Sequence, residues 1–70
     1  MEISRFLRKK RLSVGYSQKE VAQHLHICRE TVSAWENGRL LPHLDVMRKL
    51  FLLYRFTESE IIELMTIDNL

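Results

Sequence analysis

At 70 residues the chain suffices for one domain, near the lower size at which an apolar core holds without disulfides or metal, and leaves little room for a catalytic cleft. A single cysteine excludes an internal disulfide framework and fits a reducing cytosol; with no membrane-length apolar run and no signal-peptide pattern, a soluble cytoplasmic protein is expected. Formal net charge is only +2, yet residues 1–39 carry eight Lys or Arg against four acids and residues 40–70 three against five, an asymmetry suited to presenting one face to phosphate.

Gly15, Gly38 and Pro42 punctuate the chain, and no alternating strand pattern lies between them. The pattern predicts an all-α fold of five helices, at about 2–14, 17–24, 28–37, 43–54 and 57–65. Ser17 with Glu20 three positions later forms a capping box that starts the second helix. Val21, Ala22 and Leu25 make its apolar stripe, Ala22 being small where another helix must cross, and Ile27 plugs the following turn. In the third helix Val32 and Trp35 share one side, while Arg29, Glu30, Ser33, Ala34 and Asn37 fall on the opposite arc. Gly38 suits the left-handed conformation that ends a helix. The fifth helix opens with a second capping box, Thr57 to Glu60. The expected interior is Leu7, Val21, Ala22, Leu25, Ile27, Val32, Trp35, Leu44, Met47, Leu50 and Ile61. Two short amphipathic helices around a tight turn read as a helix-turn-helix.

The stretch Ser17 to Gly38 resembles the phage repressor and Cro type of helix-turn-helix domain, the XRE family, and the likeness runs from Ile3 to about Met65. Upstream, Leu7, Leu12, Val14, Arg11 and Gly15 resemble the family's first helix and its end; downstream, Pro42 with Leu44 to Tyr54 resembles helix four, and Thr57 to Leu64 helix five. The resemblance implies a compact five-helix repressor-like bundle with the motif in helices two and three, a DNA-binding domain over 1–65 and a tail at 66–70.

It also implies roles for individual residues. Arg29 and Glu30 open the recognition helix, where an arginine fork fits guanine O6 and N7 and a carboxylate accepts from cytosine N4; for Glu30 the alternative is compensation of the helix dipole. Ser33 and Ala34 continue that face, as base contacts or as an ordinary solvated surface. Gln18, Asn37 and Arg39 match positions that grip phosphate. Arg11 and Glu36 match a structural ion pair between helices one and three. Trp35 stands beside Val32 as a core residue rather than a stacking platform.

Two residues depart from the family pattern: His26 stands where glycine is usual in the turn, and Cys28 where a serine or threonine cap is usual. Histidine enters the left-handed region more readily than most residues. Cys28 is a poor cap, readable either as a redox-sensitive thiol beside Arg29 or as a buried, inert one. His24, His26, Cys28 and His43 lack the spacing of a tetrahedral site, so neither metal nor cofactor is expected. Leu40, Leu41 and Pro42 are apolar where relatives often carry basic residues; these leucines, with Leu52, Ile67 and Leu70, are candidates for a dimer surface.

The expected function is sequence-specific binding of double-stranded operator DNA by a homodimeric transcriptional regulator, a repressor, with no catalytic constellation and no membrane. Two alternatives stay open: an antitoxin that binds DNA and a toxin partner, and a protein-interaction module that keeps the fold without using DNA.

Overall fold

Local chemistry sets several of the helix ends, among them the starts of the second and fifth helices. A computed structural model describes residues 2–67, as α1 (Glu2–Val14), α2 (Gln18–Leu25), α3 (Arg29–Glu36), α4 (Leu44–Leu53) and α5 (Glu58–Ile67). No strand occurs among the described residues, so the fold is all-α. The expected boundaries agree to within two residues, α5 running past the expected end at 65 to Ile67; the rest of the expected tail, 68–70, lies outside the described residues.

Both capping boxes form. Glu20 N–H donates to Ser17 Oγ at 3.0 Å while Ser17 N–H donates to the Glu20 carboxylate at 2.9 Å. Thr57 and Glu60 repeat the exchange at 3.2 and 2.9 Å. Accepting these backbone N–H bonds, from Ser17 and Thr57 respectively, holds both carboxyl groups below their ordinary range.

The first four helices share one kind of ending. In each, a residue with positive φ lets the next N–H reach back to a carbonyl five positions earlier: Tyr16 to Arg11, Ile27 to Ala22, Arg39 to Ala34 and Phe56 to Phe51, at 2.9–3.2 Å. This Schellman closure uses the carbonyls a helix end leaves open. The positive-φ residues are Gly15, His26, Gly38 and Arg55. A Cβ at Gly15 would meet nothing within 4 Å, so its φ of +85° alone accounts for glycine there.

α1 packs on α3 and α5, and α2 packs on α3. The buried apolar set is Ile3, Leu7, Val21, Ala22, Val32, Trp35, Met47, Leu50, Tyr54 and Leu64, with Leu25 and Ile27 half-buried against it. Ile61 is also half-buried. Leu44 departs from expectation: at 57% exposed it faces solvent, because the first residue of α4 stands at the open end of the helix while Met47 and Leu50 turn inward. Phe56 ties the last two helices to α1, its ring 5.6 Å from Phe6 and 5.0 Å from Phe51, with Lys10 Nζ 5.3 Å from its centroid. Lys10 also forms an ion pair with Glu60 at 2.9 Å. The radius of gyration, 11.1 Å, matches the value of about 11 Å for a folded chain of this length.

Candidate nucleic-acid interface

The turn between α2 and α3 sets the geometry of the candidate interface. His26 adopts φ 56° and ψ 46°, left-handed as expected, and Ile27 N–H donates to Ala22 O at 3.0 Å. Val21, Ala22, Val32 and Trp35 are buried between the helices, Trp35 being 6% exposed. Locked on that side, α3 turns its other arc outward: Arg29, Glu30 and Asn37 are exposed, Ser33 and Ala34 half-buried, and Arg39 exposed just beyond Gly38. Cys28 caps α3 in an extended conformation without a side-chain hydrogen bond, and its thiol is exposed rather than buried.

A chain of four polar side chains joins this arc to the interior. Arg29 Nη1 donates to Gln18 Oε1 at 3.2 Å, and Gln18 Nε2 donates to Glu36 Oε1 at 3.1 Å. Glu36 accepts from Arg11 Nε at 2.7 Å and Nη2 at 3.0 Å, and Arg11 Nη1 donates to Tyr16 O at 2.8 Å. The expected Arg11–Glu36 pair is therefore present, bidentate and nearly dry, its side chains 8% and 3% accessible. Bonding to Glu36 raises the Arg11 pKa against the lowering effect of burial. Burial raises that of the neighbouring Tyr54 phenol, with the Glu36 charge adding to it and Arg11 opposing.

The orientation of the Gln18 amide follows from its neighbours, since a carboxylate can only accept and a guanidinium can only donate. The amide is bonded within the protein through Oε1 and one Nε2 hydrogen, which leaves the second Nε2 hydrogen unused, and Arg29 uses one of its five donors. Asn37 Nδ2 donates to Ser33 Oγ at 3.2 Å, pairing two more residues of the same face. The Arg29–Gln18 bond joins residues eleven positions apart on different helices, and nothing in the local sequence pattern announces it. Among the described residues no three His, Cys, Asp or Glu side chains gather in a metal-holding group, and no helix is long and apolar enough to cross a membrane.

A tight left-handed turn between two packed helices, the second offering a polar arc that opens with arginine, defines a helix-turn-helix domain. The helix-turn-helix family model matches residues 7–61, and the chain belongs to that family, in its XRE type. It is accordingly a DNA-binding transcription regulator. Neither curated proteins nor solved structures gave a match to the chain.

Proposed function

We propose that this regulator is a cytoplasmic repressor, reading a two-fold operator in double-stranded DNA as a homodimer and acting by occupancy of promoter DNA. The observation that carries the reading is the exposed start of α3, with Arg29 steadied by Gln18 and Glu30 beside it. A helix end of this kind fits the major groove, where Arg29 meets guanine O6 and N7 and Glu30 accepts from cytosine N4, favouring a G·C-containing half-site. One turn on, Ala34 meets a thymine methyl and Ser33 a base or phosphate. Gln18, Asn37 and Arg39 flank this face and contact phosphate, while Arg11 and Glu36 hold the scaffold.

The dimer follows from information content. A single α3 inserts too few base-reading side chains for a useful address, so two copies reading half-sites about 34–36 Å apart supply it. Leu40, Leu41 and Leu52, 54%, 46% and 82% exposed, are the contact residues favoured for this pairing. The other two candidates, the Ile67 side chain and Leu70, lie outside the described residues.

Selection of bound sequences from random duplex DNA, followed by footprinting, tests the reading; a protected palindrome holding two chains is expected. Arg29→Ala should cost about 1–3 kcal/mol on the selected site and relax one base position, whereas Arg39→Ala should weaken all sequences alike and lower the salt slope by about one. Equal loss on selected and random DNA for Arg29→Ala would refute the base-reading role.

A further inference from the structure

The run Arg8-Lys9-Lys10-Arg11 puts four cations in one turn of α1, and the fold treats them in two different ways. Successive helical residues diverge by about 100° around the axis. Lys10 meets α5, its Nζ 2.9 and 3.0 Å from the two Glu60 carboxylate oxygens. Arg11 turns inward to Glu36. Each of these charges has its own counter-ion. Arg8 and Lys9 are exposed, and neither has a hydrogen bond or ion pair among the described residues. Together with Arg5 and Leu12 they line a shallow groove whose other wall is Glu36 and Asn37, at the C-terminal end of α3. The Glu36 carboxylate in that wall is already bound by Arg11 and Gln18, so the uncompensated charge of the groove is positive.

We propose that Arg8 and Lys9 form a second phosphate-binding edge, through which α1 grips the DNA backbone beyond the end of α3. The inference rests on the DNA-binding reading of α3 given above and extends the footprint to a helix outside the two-helix motif. The groove is continuous with Asn37, so a phosphate held at the end of α3 lies next to two cations with no internal partner. Such contacts carry no base information; they add affinity and salt dependence. Lys10 and Arg11, adjacent in sequence and equal in charge, add none, because DNA would have to displace a carboxylate from each.

The test compares the intact chain with the double variant Arg8→Gln/Lys9→Gln and with Lys10→Gln, on a short duplex of random sequence and on a selected operator, over a fourfold range of salt. Each lost phosphate contact lowers the slope of log affinity against log salt by about 0.9. The double variant should therefore lose about 1.8 from the slope, roughly a twelvefold difference in affinity change across that range. Its melting temperature and its preference for the selected operator should stay unchanged. Lys10→Gln should keep the slope and lower the melting temperature. A double variant with the parent's slope, the parent itself binding steeply, would overturn this inference and leave the α3 reading standing. An equal slope loss in Lys10→Gln would also overturn it, by showing that net charge alone decides. A parent chain without salt-dependent binding would remove both readings.

Discussion

Replacing Glu36 by alanine should be the most damaging single change to the interface scaffold. Glu36 accepts three hydrogen bonds, at 2.7 and 3.0 Å from Arg11 and 3.1 Å from Gln18, and its side chain is 3% accessible. Deleting it leaves a guanidinium that is itself 8% accessible without its counter-ion, with only Tyr16 O, at 2.8 Å, still accepting from it. Removing one partner of a buried pair costs about 3–5 kcal/mol, mostly as the penalty on the charge left behind. A domain of this length holds in total about 3.5–10 kcal/mol, at about 0.05–0.15 kcal/mol per residue. Glu36→Ala therefore removes about 30% of the stability or more. With a urea m-value of about 1 kcal/mol/M, the midpoint should fall by about 3–5 M, or the chain should be unfolded without denaturant. Trp35, the single tryptophan and 6% exposed, reports the transition by fluorescence. The companion variant Arg11→Met/Glu36→Leu removes both charges and should recover most of the loss, since apolar replacement of a whole buried pair is often neutral. A cost below about 1 kcal/mol for Glu36→Ala would place the pair among solvent-screened surface bridges and refute the reasoning. A double variant no better than the single one would show that lost packing, not the stranded charge, sets the cost.

Cys28→Ser supplies the side-chain oxygen that the start of α3 lacks and should stabilise by about 1 kcal/mol, raising the melting temperature by about 4–8 °C; an unchanged melt would show that no capping bond forms. Arg55 is exposed with φ 57°, a conformation that costs an L-residue about 1–2 kcal/mol. Arg55→Gly should thus gain about 1 kcal/mol after glycine's own entropy is charged, and a lowered melting temperature would contradict it. Glu20 and Glu60 have depressed pKa values in the folded chain, chiefly from the N–H bonds of Ser17 and Thr57, with Lys10 adding to the effect at Glu60. Their contribution is fully present above the unfolded carboxylate value of about 4.3 and is lost as pH falls through the lower folded values. Urea midpoints should therefore decline as pH falls below the unfolded carboxylate value, and Glu20→Gln/Glu60→Gln should flatten the decline; an identical pH profile in the two proteins would count against it.

What could be read from the sequence was what neighbours in the chain decide. Ser17 with Glu20, Thr57 with Glu60, and the glycines at 15 and 38 are signals within four residues of their effect, and each acts as the pattern says. The buried face of α3 was legible for the same reason, Val32 and Trp35 being one turn apart. Arg55 closes α4 as Gly38 closes α3, yet arginine carries no turn signature, so that ending is set by the packing of Phe56 on Phe6 and Phe51. Tyr54, Leu64 and Ile3 complete the core from positions outside the motif, and Leu44 leaves it because, as the first residue of α4, it faces away from the side on which Met47 and Leu50 are buried. Within the interface, the exposed arc was foreseeable from the helical wheel. The grip of Gln18 on Arg29 and the Lys10–Glu60 pair were not, since they join residues 11 and 50 positions apart, and such distances become contacts only once the helices pack.

The polar chain from Arg11 through Glu36 and Gln18 to Arg29 also divides α3 by how freely evolution can rewrite it. Glu30 is exposed and makes no hydrogen bond among the described residues, so beyond its charge at the start of α3, worth about 0.3–1 kcal/mol, little stability depends on its side chain. Arg29 is tied through Gln18 to the carboxylate that neutralises a buried guanidinium, so its replacement alters the surroundings of a group the fold depends on. On the base-reading roles proposed for α3, descendants of this sequence would drift to new operators cheaply through Glu30, while a change at Arg29 is expected to travel with a compensating change at Gln18.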